Sequence, residues 1–163
     1  MNLVTVRGGR KPQRALVEKV AYWCIDEMMP RHRTLDIDIL LTKTFEEGAW
    51  AFVYAGETDR DFYMEVDKRI EYFKNGKKKK CGRDLLIETV CHEMVHVMQT
   101  ATGRMIDRLY PKKEGYRKLW KDRRTGHYVD HSKPPYSRLP WERQAYRMQK
   151  ELLKKFLLHE EKG

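Results

Sequence analysis

The residues of this chain that could do chemistry are concentrated in the string LIETVCHEMVHVMQTA, residues 86–101. His92 and His96 lie four positions apart in it, and Glu93 directly follows the first histidine. In an α-helix, positions four apart share one face, so both imidazoles can reach one zinc ion at about 2.0–2.1 Å. Glu93 is rotated by roughly 100° from His92, so it borders such a site and can accept a proton from a metal-activated water. The alternative is a core helix with two hydrogen-bonded histidines and a glutamate at its surface.

A catalytic zinc site usually has three protein ligands and one position that stays open for water. The candidates for the third ligand are Glu114, His127, His131 and Glu142. Glu142 is favoured because helical spacing places it near the inward face of a predicted helix, which also carries Ala145 and Gln149. Glu142 could instead serve only the N-terminus of that helix, where a carboxylate interacts favourably with the helix dipole. Glu88 is either an acceptor for an imidazole N–H or a plain solvent-facing glutamate.

The elements that must position these residues follow from the hydrophobic pattern. Helices are predicted from Pro12 to about Met29, from Asp84 to about Thr100 and from Pro140 onward. Strands are predicted within residues 34–41, 48–56 and 61–70. Apolar and polar side chains alternate in the first and third of these segments, and large and small side chains alternate in the second. Residues 104–139 are basic, aromatic and aperiodic, which predicts a long functional loop with a hairpin around RKLWKDRRTGHYVDH. The order predicts an α+β fold: an N-terminal helix, a small three-stranded mixed or antiparallel sheet, a zinc-binding active-site helix, a long loop and a C-terminal helix.

Length and composition limit the class of protein. The 163 residues suffice for one core, so we expect a single domain over residues 1–163, of which residues 1–11 form a flexible basic arm. No run of about 18 apolar residues occurs, so no membrane span is expected. Three cysteines without a C-x-x-C pair favour a reducing cytoplasm. A net charge of +10 predicts an attraction for anions, and it makes nucleic acid a candidate partner through the basic surface.

The strings HEMVH and LPWERQAY together resemble the small gluzincin-type zinc metallopeptidases. That group includes the minigluzincins and the SprT-like metallopeptidases of phages and bacteria. The resemblance implies a zincin-like fold, a Zn²⁺ ion bound by His92, His96 and Glu142, and Glu93 as the catalytic base. It also implies a protein or peptide substrate, a cleft lined by an edge strand near residues 63–69, and the host cytoplasm as the location if the chain is encoded by a phage.

One string departs from the SprT pattern. SprT relatives use a third histidine within an H-G-containing string after the active-site helix. The nearest string here is KEGYRKLW, in which Glu114 stands where that histidine would be sought. A protein crosslinked to DNA is therefore not carried over as the expected substrate.

The function predicted from these residues is that of a zinc metalloendopeptidase, which hydrolyses peptide bonds with a metal-activated water. The alternative is a basic nucleic-acid-binding module with a structural or vestigial zinc site, because the string YRKLWKDRRTGHY mixes cations with aromatic residues. Glu93 favours the enzyme, since a structural zinc site needs no base and is usually closed by four ligands. The candidate donors to the oxyanion are His127, Tyr128, His131 and Tyr136.

Overall fold

The computed structural model of the chain describes residues 1–43, 51–68, 71–74, 77–80, 82–110, 115–130 and 139–163. Three helices lie within these residues: α1 (Lys11–Met28), α2 (Arg83–Ala101) and α3 (Pro140–Lys162). The strands there are β1 (Leu3–Gly8), β2 (Asp36–Thr42), β3 (Ala51–Ala55), β4 (Asp61–Asp67), β5 (Glu71–Lys74), β6 (Lys77–Lys80), β7 (Met105–Tyr110), β8 (Gly115–Lys121) and β9 (Tyr128–Asp130). The chain thus has the predicted α+β fold, and its helices begin within a few residues of the predicted positions.

The main sheet is mixed and has the strand order β1-β2-β4-β3. β1, β2 and β4 run parallel, whereas β3 pairs antiparallel with β4. Alternation decides which side chains enter the core. Ile37 and Ile39 of β2, and Phe62, Met64 and Val66 of β4, are buried. The mixed sheet was predicted with three strands, and β1 is the strand that the prediction missed.

The prediction of a flexible arm over residues 1–11 is wrong for residues 3–8, which form β1. Val4 pairs with Ile37 in the parallel register and is 5% exposed. A parallel pair needs a crossover connection, and α1 supplies it. Gly8 (φ 79°) and Gly9 (φ 62°) turn the chain from β1 into α1, in a backbone conformation that glycine adopts at little cost.

The prediction that residues 63–69 form the edge of the sheet is also wrong for residues 63–67, which belong to the interior strand β4. Tyr63 lies opposite Asp38 on one side and opposite Tyr54 on the other. The polar residues of β4 lie on the face of the sheet away from the helices, where the Tyr63 hydroxyl donates to Glu65 at 2.7 Å. Their alternation therefore reports a face turned away from the core rather than an exposed edge, and among the described residues β3 is the outermost strand at this end of the sheet.

The helices cover the other face of the sheet and share one hydrophobic core with it. α2 is the most enclosed of them, and it packs against α1, α3 and β3. Cys24 of α1 and Cys91 of α2 are both buried, with their Sγ atoms 3.8 Å apart. Most residues of α2 before, between and after the two histidines are apolar, and most are buried. Their packing fixes the rotation of the helix and therefore the direction in which the histidine side chains point.

The described part of residues 104–139 is not the predicted long loop but consists mainly of strands. β7, β8 and β9 form an antiparallel sheet in that order, and the predicted hairpin is the pair β8–β9. A further antiparallel pair, β5–β6, precedes α2. No helix in the described ranges combines the length and the apolarity that crossing a membrane requires.

Candidate metal centre

Three predicted metal ligands converge where α2 meets the start of α3. His96 Nε2 lies 2.8 Å from Glu142 Oε1, and His92 Nε2 lies 3.2 Å from Glu142 Oε2. Potential ligand atoms of all three residues lie within 4.8 Å of one another. Two ligand atoms of one tetrahedral zinc ion are about 3.3 Å apart when each bond is about 2.0–2.1 Å long. The cluster therefore fits one metal ion with only small adjustments.

The start of α3 directs Glu142 inward. Pro140 occupies the first turn, where its missing N–H costs no helical hydrogen bond. The next residue, Trp141, is 3% exposed and packs in a small apolar cluster with Met105, Trp120 and Leu139. This anchor orients the first turn so that the adjacent Glu142 side chain, 2% exposed, faces the two histidines.

The negative charge of Glu142 in this cluster must be balanced, either by protons on the two imidazoles or by a bound cation. Burial would raise the pKa of the Glu142 carboxyl, but the hydrogen bonds from His92 and His96 hold that pKa well below its usual range. Burial would also lower the pKa of His92, yet the hydrogen bond to Glu142 and the charge of Glu93 raise it. A carboxylate that faces two ring nitrogens needs positive charge between the groups, and a divalent metal ion can replace the two protons.

Two glutamines hold the other nitrogen of each ring. His92 Nδ1 lies 2.6 Å from Gln149 Oε1, and His96 Nδ1 lies 2.8 Å from Gln99 Oε1. An amide oxygen only accepts, so each Nδ1 must carry a proton, and each Nε2 is the nitrogen that can exchange its proton for a metal ion. Imidazoles that bind a metal usually have such a fixed tautomer, set by the partner of their second nitrogen.

The orientation of each glutamine is itself determined by its amide nitrogen. Gln99 Nε2 donates to the Trp141 carbonyl at 2.9 Å and to Gln144 Oε1 at 2.9 Å. Gln149 Nε2 donates to the carboxylate of Glu88. Glu88 was predicted as a direct acceptor for an imidazole or as a solvent-facing residue. Glu88 instead contacts His92 only indirectly: it orients the Gln149 amide, and that amide accepts the hydrogen bond from His92.

Glu93 borders the cluster, as its rotation on the helix predicts. Its side chain is buried, at 6% exposure, although its neighbours on α2 belong mostly to the apolar core. Its charge raises the pKa of His92, and it also contributes to the raised pKa of Tyr146, after burial and Glu142. Glu93 therefore lies near the rings of His92 and Tyr146, beside the metal-ligand group of His92, His96 and Glu142.

Of the remaining sequence candidates, only His127 and Tyr128 lie in the described part of the chain, and neither joins the cluster. His127 is exposed in the connection before β9, and the Tyr128 hydroxyl donates to the Gly103 carbonyl at 2.5 Å. Glu114, His131 and Tyr136 lie outside the described residues. Sequence reasoning overlooked Tyr146 as a site residue. Its ring centroid is 4.8 Å from that of His92, and its position one helical turn after Glu142 was the available signal.

The two glutamines should matter for metal binding although neither touches the metal. Changing Gln149 to Leu removes the acceptor that fixes His92 and is expected to weaken zinc affinity about 10–100-fold. Competition with a zinc-chelating dye measures the effect. Changing the exposed, neighbouring Lys150 to Leu is the matched control and should leave the affinity unchanged. Equal affinities for both folded variants would show that the amide has no part in binding.

Comparison with known proteins finds no matching family model, no matching curated protein and no matching solved structure. The interpretation of the cluster therefore depends on its geometry. The structure brings together two imidazoles and a carboxylate, the donor set of a three-ligand metal centre. The His92 side chain remains 12% exposed, so the cluster is not sealed from solvent on that side.

Proposed function

We propose that the chain is a zinc-dependent metalloendopeptidase of the gluzincin type. The observation that carries the proposal is the convergence of His92, His96 and Glu142 beside the buried carboxylate of Glu93. Two imidazoles and one carboxylate form a donor set that suits zinc. Three protein ligands leave one position for water, which is the arrangement of catalytic rather than structural zinc sites.

The chemistry divides between the metal and the chain. A zinc ion bound here would activate a water molecule and polarise a peptide carbonyl. Glu93 accepts the proton of the attacking water and then donates it to the departing amine. His92 and His96 would hold the zinc ion through Nε2, because Gln149 and Gln99 accept from the opposite nitrogens. Tyr146 covers one side of His92 and borders the path by which a substrate would reach it.

A zincin-like fold is part of the proposal. In zincins an edge strand beside the active-site helix receives the substrate, and β3 is the strand that occupies this position here. It pairs with β4 on one side only within the described part of the chain. Ala51, Val53 and Ala55 of β3 pack against the core that contains α2. An extended peptide could pair with the other side of β3.

The direct test is cleavage of a complex peptide library by protein loaded with one zinc per chain. New peptide termini are identified by mass spectrometry in a zinc-loaded sample and in a sample treated with a chelator. We expect cleavage only in the zinc-loaded sample, and restored cleavage when zinc is returned. Stoichiometric zinc with no cleavage across the library would contradict the peptidase and leave a metal site of another kind.

Zinc should also stabilise the folded chain. A ligand that binds only the native state stabilises it by about 2.7 kcal/mol when its free concentration is a hundred times its Kd. For a chain of this size that corresponds to a rise in Tm of roughly 5–10 °C, which thermal unfolding followed by circular dichroism measures. Mg²⁺ prefers six oxygen ligands, so the same concentration of Mg²⁺ should leave Tm nearly unchanged. A shift as large with Mg²⁺ would contradict a nitrogen-rich site.

A further inference from the structure

A second group of polar side chains surrounds a pocket at the C-terminal end of α2, beside the metal centre. The pocket has a volume of about 250 Å³ and is lined by Arg104, Lys121, Arg123 and Gln144 together with the last turn of α2. No carboxylate is among the described residues that line it. The pocket thus presents three cationic side chains and one amide to a common space.

Arg104 is held at the wall of this pocket by packing. Its guanidinium carbon lies 4.7 Å from the centre of the Trp120 ring, a cation–π contact that fixes the side chain. Its carbonyl accepts a hydrogen bond from the Lys121 N–H at 2.9 Å, so the two cationic residues stay adjacent. Arg104 Nε is buried, yet it has no hydrogen-bond partner among the residues that the structure describes. A buried N–H group without an acceptor is costly, and a small shift of the guanidinium toward a ligand oxygen in the pocket would relieve that cost.

The charge of this cationic pocket is only partly balanced. Burial and then the charge of Arg123 lower the pKa of Arg104, while Asp122 acts in the opposite direction. The Asp122 Oδ1 atom already accepts the Arg124 N–H at 2.7 Å. Within the described ranges, no carboxylate forms an ion pair with Arg104, Lys121 or Arg123. An anionic ligand would therefore supply charge that the protein itself does not provide there.

We propose that the cationic pocket is a binding site for a phosphate group. A phosphate has tetrahedrally arranged oxygens and a charge of up to about −2, so it can accept from several donors that approach from different directions. A carboxylate is planar and carries a single charge, so it would satisfy fewer of these cations. Arginine and lysine side chains are the usual partners of phosphate oxygens in proteins.

The amide of Gln144 connects the pocket to the metal centre. Its Oε1 accepts from Gln99 Nε2 at 2.9 Å, and Gln99 in turn holds His96. Because the amide oxygen of Gln144 is already engaged, its amide nitrogen is the atom that can donate a hydrogen bond to a ligand in the pocket. The phosphate site does not depend on peptidase activity, because none of its lining residues belongs to the metal-ligand group.

Isothermal titration with inorganic phosphate, at constant ionic strength, tests the site. We compare the parent chain with Arg123→Met and with Arg124→Met, because these variants lose the same charge from adjacent exposed positions of one turn. Of these two arginines, only Arg123 lines the pocket. The Arg123→Met change is expected to weaken phosphate binding roughly tenfold or more. The Arg124→Met control should stay within about twofold of the parent. Arg104→Lys keeps the charge but removes Nε, and it should weaken binding as well.

Two results would overturn the proposal: equal weakening by Arg123→Met and Arg124→Met, or parent binding no tighter for phosphate than for acetate. A single-stranded oligothymidylate of about eight nucleotides distinguishes the sources of phosphate. Tighter binding than inorganic phosphate, with the same dependence on Arg123, assigns the site to the phosphodiester backbone of a nucleic acid. Weaker binding than inorganic phosphate assigns it to free phosphate or a phosphomonoester.

Discussion

Changing Glu93 to Gln is expected to leave zinc bound and to reduce peptide hydrolysis by about 10²–10⁴-fold. The amide has nearly the same shape as the carboxylate, so the packing of this buried side chain should persist. It cannot accept a proton from water at neutral pH, however, and the base of the proposed reaction is lost. Zinc content by elemental analysis and cleavage of the best library peptide together measure the effect.

A matched change on α3 separates the loss of a base from the loss of any acidic residue. Glu151 is exposed, so Glu151→Gln removes one carboxylate without touching the metal centre. Its cleavage rate should equal that of the parent. If Glu93→Gln cleaved at the parental rate with zinc bound, the general base would be another group and the assigned mechanism would be wrong.

Changing Glu142 to Ala is expected to weaken zinc affinity by more than the 10–100-fold typical of changes to groups that only support a ligand. This carboxylate is the charged member of the ligand set, and it lies within 3.2 Å of both Nε2 atoms. Without it, two neutral imidazoles remain, and the metal loses both a bond and its charge compensation. Dye competition gives the affinity, and elemental analysis gives the zinc retained after dialysis.

Two further substitutions sharpen this result. Glu142→Gln keeps the size of the side chain but removes its charge, so its affinity should lie between those of the parent and Glu142→Ala. Glu161→Ala, at an exposed position of the last turn of α3, should bind zinc as the parent does. Zinc held equally firmly by the parent and the folded Glu142→Ala variant would mean that the third ligand lies elsewhere, with Glu114 and His131 the remaining candidates.

The parts of the site that sequence could predict are those set by helical spacing. His92, His96 and Glu93 share a single helix, so their relative directions follow from about 100° per residue. To predict Glu142 as the third ligand, it was enough to assume that a second amphipathic helix packs its apolar face, on which Glu142 lies, against the first. The supporting residues obey the same geometry: Gln99 is three positions after His96, and Gln149 is seven positions after Glu142. Their role was not visible because a glutamine carries no chemical signature in isolation.

The parts that sequence could not predict are those set by pairing between distant strands. The alternation of β4 shows that one face is buried, but it is the same for an interior strand and an edge strand. Its partners depend on where β2 and β3 lie after the chain has folded. Similarly, Val4, Thr5 and Val6 of β1 have high strand propensity, but a partner strand about thirty residues away is needed to turn that preference into a strand of the sheet.

The contact between Cys24 and Cys91 gives the core an internal reporter. Both thiols are fully buried, and burial followed by the contact with Cys91 raises the pKa of Cys24. Burial keeps alkylating reagents away from both sulfurs for as long as α1 and α2 stay packed. Their rate of alkylation measures how often this interface opens, and Cys91 is adjacent to His92 in the chain. Mass spectrometry of the alkylated peptides can thus follow the loosening of the helix that bears the metal ligands, without any engineered cysteine.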